Sequence, residues 1–377
     1  TGLRVPYADY AWPARGGITP YLHQRITMEM MLQNKRLFVL NDMGTGKTLS
    51  ALWACDFLMI NDKIKRVLII GPLSTLNSVW GKEIFINLPH LKYVTAHGSR
   101  DNKLRALAAD ADFVITNHDT VTNFKDEIHR ERFDIIIIDE MTAYKNPTAK
   151  RTKAMRYIAM YAKGVWGMSG NPIANGPMDA YGQCLVVNPK NPNLPRYKTQ
   201  FKLLVSYQVT QYLWLPKPDA DKTVYKMMQP AVRFKREDCV DLPDIVYENC
   251  EVDLSSQQKH AYNTMAKEML IEMDNGDIVT AKTAATKLLK ILQISSSSMK
   301  DDAGQIVHFD IKPKMAFALE MLAETPQSKL IIVCMFRATC IRLVDEFEAK
   351  GVKAATIYGS VSEKRRAKII HDFSDET

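Results

Sequence analysis

Residues 37–48 read Leu-Phe-Val-Leu-Asn-Asp-Met-Gly-Thr-Gly-Lys-Thr, an apolar run followed by a glycine-rich turn. The first four residues predict one buried strand. Beyond the turn, apolar side chains recur at helical spacing at Leu49, Leu52, Trp53 and Phe57. A glycine-rich turn between a strand and a helix is the setting that a phosphate-binding loop requires. The stretch therefore predicts such a loop at the first strand–helix junction.

Four residues of this turn have predicted roles in binding a nucleotide. Gly44 and Gly46 let the backbone come close to phosphate oxygens, and the amides and dipole of the following helix favour an anion. Lys47 is predicted to reach the β and γ phosphates, where it also serves catalysis. The Thr48 hydroxyl is predicted to bind Mg²⁺.

The match to the strict loop pattern covers only its second half, because Asn41 stands where the pattern has glycine. Met43 and Thr45 complete the predicted nucleotide-binding loop. The alternative is an ordinary strand–turn–helix with a surface lysine. Upstream, Gln24 is predicted to bind adenine, because its amide offers both a donor and an acceptor. Its alternative is a solvated helix residue.

A second motif follows the most continuous apolar run of the chain, residues 133–138. Asp139 and Glu140 come directly after it, and two carboxylates at the tip of a buried strand are costly without a cation or a task. Asp139 is predicted to hold Mg²⁺ through water, and Glu140 to orient and polarise the attacking water. The alternative is a helix start, where the dipole favours acidic residues.

Two other apolar runs end in residues that could contact a phosphate backbone. Ser74 and Thr75 follow residues 67–70, and Thr116 and Asn117 end the run that starts at Phe113. Ligands bind at strand ends in open α/β sheets, so these four side chains are predicted contacts of a nucleic acid. Helix capping by the Ser and Thr residues is the alternative.

A further apolar run, residues 165–168, ends in a short polar turn. The turn contains Ser169, Gly170 and Asn171, which are predicted to sense the γ phosphate and to couple its state to a bound polymer. The alternative is a plain turn with no such role.

Composition narrows the class of protein. The length of 377 residues predicts two domains, and a hydrophobic content of 46% is enough to form a buried core in each. A formal charge of +8 is compatible with a polyanionic partner. The six cysteines form no Cys-x-x-Cys pair, which indicates a reducing compartment rather than a zinc site or a disulfide framework. Neither a membrane-spanning stretch nor a signal peptide is predicted, and no membrane partner is expected.

Alternating strands and helices from about residue 34 to 185 predict a parallel sheet covered on both faces. A segment at about 186–230 breaks this alternation and is predicted to be an insertion in a first domain, residues 1–245. Residues 246–305 are predicted to be a helical linker or insertion. A second α/β unit, residues 306–377, is predicted to be partial, with strands at residues 329–333 and 354–357.

Taken together, these motifs resemble those of superfamily 2 helicases of the Swi/Snf type, the remodeller-like translocases of double-stranded DNA. The matching stretches are Gln24 and residues 42–48, 71–74, 114–117, 139–142, 145–147, 169–172 and 233–243. The tail at 145–147 and the basic segment at 233–243 distinguish this family from DEAD-box RNA helicases. The compact insertions predict a phage or bacterial member.

The chain departs from the family pattern at three places. Met141 and Thr142 stand where Ala-His is usual, which predicts an altered contact with the turn at Ser169. Asn171 replaces threonine. Motifs V and VI, the latter a source of arginines that reach ATP in the family, are absent, so we expect the natural protein to continue past Thr377 and this chain to hydrolyse ATP poorly.

The resemblance implies an α/β protein of two RecA-like lobes with a helical insertion between them, the second lobe being incomplete. It implies ATP and Mg²⁺ as cofactors, duplex DNA as partner, and ATP-dependent movement on DNA. Lys145 and Arg337 are further predicted nucleic-acid contacts, and the expected location is the cytoplasm of a bacterium or a phage-infected cell. An RNA helicase and a catalytically weak nucleic-acid-binding scaffold are the alternatives.

Overall fold

The computed structural model describes residues 10–12, 19–239, 246–274, 281–301, 303–324 and 329–375. The chain forms two compact units, Thr1–Asp244 and Ile245–Thr377. The finer division predicted from the sequence, with a separate helical segment at 246–305, stays a prediction. The end of the basic segment, residues 240–243, lies outside the described residues.

The first unit alternates strands and helices along the chain. Its described strands are β1 (Arg36–Val39), β2 (Val67–Gly71), β3 (Tyr93–Ala96), β4 (Phe113–Asn117), β5 (Ile135–Asp139), β6 (Gly164–Met168), β7 (Ser206–Gln208), β8 (Trp214–Pro216) and β9 (Ala231–Val232). Its described helices are α1 (Leu22–Gln33), α2 (Lys47–Ile60), α3 (Lys82–Asn87), α4 (Arg100–Leu107), α5 (His118–Asn123), α6 (Lys125–Glu131), α7 (Lys150–Ala159), α8 (Asp179–Val187), α9 (Lys198–Val205) and α10 (Ala220–Met227). Shorter helical turns span Leu73–Thr75, Leu76–Gly81 and Met141–Tyr144.

Seven of these described strands form one sheet in the order β3-β4-β2-β5-β6-β1-β9, and every pair in it is parallel. The sheet confirms the predicted α/β fold. Sequence patterns did not predict β3 or β9. β3 lies at one edge and is only partly buried, and β9 has two residues, so neither carries a continuous apolar run.

Both faces of the sheet are covered, which explains the continuous apolar run before Asp139. Ile136 and Ile138 belong to one buried cluster, which includes Met155 of α7. Ile135 and Ile137 belong to the cluster on the other face, which includes Trp53 of α2. Successive side chains of a strand point to opposite faces, so a strand between two helical layers must be apolar at every position.

The segment after α8 contributes to the same core. Phe201 of α9 is fully buried, and its ring stacks on that of Tyr181 in α8 with centroids 5.4 Å apart. Met227 of α10 is also fully buried in this cluster. Between α9 and α10, β7 and β8 form a small antiparallel hairpin. These helices therefore add to the first unit's core rather than to a separate one.

The second unit is described by itself. Its described elements are α11 (Ser256–Asp274), α12 (Ala281–Ser295), β10 (Ser298–Lys300), β11 (Ile306–His308), α13 (Lys312–Glu324), α14 (Arg337–Glu348) and α15 (Glu363–Ser374). β10 and β11 pair as an antiparallel hairpin. A small buried cluster joins α13 to Phe347 of α14.

The predicted strands at residues 329–333 and 354–357 are wrong, because neither stretch is a strand in the structure. Ile331 is 72% exposed and Val333 is 92% exposed. A buried parallel strand needs hydrogen-bonding neighbours and covering helices, and in the described part of the second unit these stretches belong to no sheet. An apolar run alone is therefore not enough to predict a buried strand.

No helix in the described parts of the chain has both the length and the apolar character needed to cross a membrane.

Replacing Gly182 by alanine is expected to destabilise the first unit. A Cβ at this position of α8 would lie 2.3 Å from the Tyr144 carbonyl oxygen and 2.5 Å from that of Lys145. Backbone atoms cannot move aside like a flexible side chain, so we expect a loss of about 1–3 kcal/mol. All five tryptophans lie within residues 12–214, so urea unfolding followed by tryptophan fluorescence reports on this unit. An unchanged urea midpoint would contradict the close contact.

Candidate nucleotide-binding site

The loop between β1 and α2 has a backbone that only glycine adopts readily at two positions. Gly44 has φ +83° and Gly46 has φ +77°. Gly46 immediately precedes α2, and a Cβ there would lie 2.0 Å from Gln24 Nε2. The left-handed geometry favours glycine at position 46, and a larger residue there would also displace the end of the Gln24 side chain. The turn leaves the first amides of α2 without helical partners, which is the arrangement that binds anions.

Hydrogen bonds fix the shape of the loop. Thr45 Oγ1 donates to the Asp42 carbonyl oxygen at 2.8 Å, and His23 Nε2 lies 2.9 Å from the carbonyl oxygen of Thr45. Asn41, which replaces the glycine of the strict pattern, is buried and donates from Nδ2 to Thr27 Oγ1 at 2.8 Å. The asparagine therefore ties the start of the loop to α1, a contact that the sequence pattern did not predict.

Gln24 packs against this loop. It is buried, and its Oε1 accepts a hydrogen bond from the Tyr21 backbone amide at 3.0 Å. Its Nε2 lies beside Gly46. This position excludes the alternative of a solvated helix residue. The predicted contact with adenine stays a prediction.

Lys47 is the first residue of α2. Its Nζ donates to the carbonyl oxygens of Asn41 at 2.7 Å and Asp42 at 2.9 Å, so the ammonium group lies within the curve of the loop. Burial lowers the pKa of Lys47, whereas the negative charges of Asp139, Glu140 and Asp42 act in the opposite direction. The ammonium group thus lies among carbonyl acceptors and acidic side chains. Thr48, the next residue of α2, is partly buried.

Asp139 ends β5 and faces the loop. Burial raises the pKa of Asp139, while the hydrogen bond from Trp80 and the charge of Lys47 act to lower it. Trp80 Nε1 donates to Asp139 Oδ2 at 3.0 Å. The role of Trp80 was not predicted. A buried indole requires an acceptor, but sequence spacing does not show which one it meets.

Strand register explains why the loop and the acidic tip come together. β6 pairs with β1 on one side and with β5 on the other, and Met168 stands opposite both Val39 and Asp139. Neighbouring strands are about 4.8 Å apart, so the end of β1 and Asp139 are about 10 Å apart at the same edge of the sheet. Side chains and a loop can converge on one ligand across that span. In agreement, the charge of Asp139 acts to raise the pKa of Lys47, and the charge of Lys47 acts to lower the pKa of Asp139.

Glu140 is held in a defined position by two hydroxyl groups. Its backbone is left-handed, with φ +56°. Thr142 Oγ1 donates to Glu140 Oε1 at 2.6 Å, and Ser169 Oγ donates to the same oxygen at 3.1 Å. Thr142 stands where the resembled family has histidine, so in this chain a hydroxyl occupies that position and bonds Glu140 directly.

The turn after β6 lies between Glu140 and the loop. Ser169 contacts Glu140, as described, and its backbone amide donates to the Val39 carbonyl oxygen at 3.1 Å. A Cβ on Gly170 would lie 3.5 Å from the Met43 amide nitrogen. Asn171 is exposed. The structure thus brings Ser169 and Gly170, but not the Asn171 side chain, into contact with the other predicted site residues.

Replacing Ser169 by alanine is expected to lower the rate of ATP hydrolysis about tenfold with little change in ATP affinity. The variant loses one of two hydroxyl donors to Glu140 Oε1, and a hydrogen bond to a charged group contributes about 1.5–3 kcal/mol. Steady-state ATPase assays and equilibrium ATP binding measure the two quantities. Thr264→Ala is a control, because the Thr264 hydroxyl donates to the carbonyl oxygen of His260 within its own helix, in the second unit. Equal rates for Ser169→Ala and wild type would contradict a role in holding Glu140.

The predicted nucleic-acid contacts at the strand ends differ in accessibility. Ser74 is exposed, and Thr75 donates from Oγ1 to the Pro72 carbonyl oxygen at 3.0 Å. Thr116 is fully buried and donates to the Ala96 carbonyl oxygen at 3.1 Å, so its predicted contact is corrected. Asn117 Oδ1 accepts from the Thr120 amide at 3.1 Å and caps α5, and its predicted contact with nucleic acid stays a prediction.

Two predicted nucleic-acid contacts carry a positive charge. Lys145 is exposed, and its Nζ lies 3.9 Å from Asp179 Oδ2. Arg337, in the second unit, is exposed and lies over the Tyr358 ring with its Cζ 4.4 Å from the centroid. Their contacts with nucleic acid stay predictions.

The donor set fits a nucleotide with its magnesium ion. In the described parts of the chain, no three His, Cys, Asp or Glu side chains cluster as a ready-made metal site. Mg²⁺ at nucleotide sites takes one or two protein oxygens and completes its shell with water and phosphate. Thr48, which follows Lys47 in the chain, and Asp139, whose charge acts on Lys47, are the residues that would hold it.

Comparisons with known proteins agree with this fold. The sequence profile of the SNF2-related domain matches residues 23–303. A phage protein, p41 of Acyrthosiphon pisum secondary endosymbiont phage 1, is 26% identical over 310 residues, covering 75% of this chain and 65% of the phage protein. The SWI/SNF-related matrix-associated actin-dependent regulator of chromatin subfamily A-like protein 1 of Drosophila melanogaster is 24% identical over 256 residues, covering 68% and 33% of the two chains.

Among solved structures, the Sulfolobus solfataricus SWI2/SNF2 ATPase core in complex with dsDNA matches with a TM-score of 0.53 and 20% sequence identity. The match covers 97% of this chain and 77% of the archaeal chain. The fold is therefore that of an ATPase core with RecA-like lobes. The chain belongs to the SNF2-related family. It spans less than two thirds of the length of the phage and fly relatives.

Proposed function

We propose that this chain is the ATP-hydrolysing core of a translocase that moves on duplex DNA. The observation that carries the proposal is the convergence of three strand ends at one edge of the sheet. β1 leads to the loop and Lys47, β5 ends in Asp139 and Glu140, and β6 ends in Ser169, which bonds Glu140. A triphosphate bound by the loop would have acidic and hydroxyl groups arranged around its terminal phosphate.

Each residue then has one chemical task. The backbone at Gly44 and Gly46 and the first amides of α2 bind the phosphates, and Lys47 neutralises charge on them. Asp139 and Thr48 hold Mg²⁺, which when bound offsets the negative charge of the phosphate oxygens. Together they keep the phosphate chain fixed relative to Glu140.

Glu140 orients the attacking water and accepts its proton. General-base catalysis requires the acceptor oxygen to lie within hydrogen-bonding distance of the water, so the position of the carboxylate is decisive. The hydroxyls of Thr142 and Ser169 both bond Oε1, which leaves Oε2 as the oxygen that faces the water. Ser169 also bonds Val39 of β1, and Gly170 packs against the loop at Met43. A movement of the Glu140 carboxylate would therefore shift the turn after β6.

Duplex DNA is the proposed partner. The solved relative is an ATPase core in complex with dsDNA, and the chain has a formal charge of +8. The exposed Ser74 and Lys145 are the side chains that best suit contacts to backbone phosphates. Contacts to backbone phosphates do not depend on base sequence, and they weaken at higher salt because binding must release counterions from the DNA. Binding should therefore be sequence-tolerant and salt-sensitive.

The test is ATP hydrolysis by the full-length protein with no nucleic acid, duplex DNA, single-stranded DNA or duplex RNA, at two salt concentrations. We expect the greatest stimulation with duplex DNA and a lower stimulation at higher salt. Equal rates with and without duplex DNA would reject the translocase. A preference for RNA would favour an RNA helicase, and ATP binding without hydrolysis would favour a scaffold.

A further inference from the structure

The basic segment after β9 is attached to the phosphate-binding loop. β9 pairs with β1, and the parallel pairing continues past both strands: the Leu40 amide donates to the Val232 carbonyl oxygen at 2.8 Å. The Asp42 amide donates to the Phe234 carbonyl oxygen at 2.9 Å. The chain after β9 therefore runs alongside the loop itself, not only alongside the strand that leads to it.

Two side chains of the loop complete this attachment. Asn41 Oδ1 accepts from the Phe234 amide at 3.0 Å, and Asp42 Oδ2 accepts from the Arg236 amide at 3.1 Å. The Phe234 ring lies 5.9 Å from that of His23, which itself contacts the loop at Thr45. The backbone of Arg236 is thus fixed relative to the loop in the same unit.

The Arg236 side chain lies over the glycine turn. Its Nε would be 3.7 Å and its Cζ 3.9 Å from a Cβ placed on Gly44. The side chain is exposed, and the described residues give its guanidinium no ion pair within 4.0 Å. Lys235, by contrast, is paired with Glu237 Oε1 at 2.7 Å. Among the described residues, then, the guanidinium of Arg236 has no ion-pair partner, and it lies beside the turn whose amides suit phosphate.

We propose that Arg236 binds the phosphate chain of the nucleotide from the same unit as the loop. This inference rests on the proposed function. A guanidinium presents planar paired donors that match phosphate oxygens, and the fixed backbone leaves only side-chain torsions to be ordered on binding. Arg236 is a cation that the loop pattern itself does not contain, and its guanidinium lies close to Gly44.

The position of Arg236 also indicates which nucleotides it would help to bind. Arg236 lies beside the turn at Gly44, so we expect it to act on the phosphates that ATP and ADP share rather than on the base. Removing the guanidinium should weaken both nucleotides, and a lysine in its place should restore only part of the affinity, because an ammonium lacks the paired donors.

The experiment measures equilibrium binding of Mg·ATP and Mg·ADP to wild type and to the Arg236→Ala, Arg236→Lys and Lys235→Ala variants of the full chain. We expect about tenfold weaker binding of both nucleotides for Arg236→Ala, an intermediate affinity for Arg236→Lys, and wild-type affinity for Lys235→Ala. Lys235 is the matched control, because it neighbours Arg236, carries the same charge and is exposed. Urea unfolding without nucleotide checks that all three variants are folded.

Wild-type affinity in a folded Arg236→Ala variant would overturn this inference and leave the proposed ATPase site intact. Equal weakening by Lys235→Ala and Arg236→Ala would also overturn it, since the effect would then be one of overall charge. Absence of nucleotide binding by wild type itself would overturn the proposed function together with this inference.

Discussion

Replacing Glu140 by glutamine is expected to slow ATP hydrolysis by about 10²–10⁴-fold, the range that general-base catalysis contributes. The amide keeps the size of the side chain and can still accept the hydrogen bonds from Thr142 and Ser169. It cannot accept a proton from water. Binding of ATP should therefore be retained, because the loop and Lys47 are unchanged.

Single-turnover hydrolysis and equilibrium ATP binding separate these two effects. Glu29→Gln is the matched control, since Glu29 lies on α1, away from the loop, and accepts an exposed hydrogen bond from Gln33 on the same helix. Full hydrolysis by Glu140→Gln would show that another group activates the water. Retained biological activity without hydrolysis would instead indicate a scaffold rather than a motor.

Replacing Lys47 by alanine is expected to remove hydrolysis and to weaken ATP binding by about 10–100-fold. The ammonium is the group that reaches the β and γ phosphates, and charge-assisted hydrogen bonds of this kind contribute about 1.5–3 kcal/mol. The variant also leaves the charges of Asp139, Glu140 and Asp42 without their shared cation. Repulsion between these carboxylates and the phosphates then adds to the loss.

Binding of Mg·ATP by calorimetry, together with an ATPase assay, measures the effect of Lys47→Ala. Lys125→Ala is the control, because Lys125 is likewise the first residue of a helix but is exposed and lies over the Tyr157 ring. An unchanged ATP affinity in Lys47→Ala would mean that the loop around Gly46 does not bind phosphate.

The parts of the site that could be predicted from the sequence are those set by local pattern. The loop at Gly44 to Thr48 and the acidic pair at Asp139 follow apolar runs, and a parallel sheet places the ends of such strands at one edge. The relation between these ends was therefore predictable without knowing any side-chain contact.

The parts that could not be predicted depend on contacts between distant residues. Trp80 reaches Asp139 across 59 positions, and Asn41 reaches Phe234 across 193. Neither residue type indicates its partner by spacing. The corrected contact at Thr116 has the same origin: a polar residue at a strand end looks accessible in sequence, but its neighbour β3 supplies an acceptor and buries it.

The left-handed backbone of Glu140 has a consequence for the side chain at this position. An L-residue in that conformation costs about 1 kcal/mol or more, whereas glycine bears no such cost and asparagine a smaller one. Glycine at this position would relieve that strain, but it would also remove the acceptor of the hydroxyl groups of Thr142 and Ser169. Because these hydrogen bonds offset the backbone strain, the acidic side chain itself helps to maintain the conformation that places it for its proposed role.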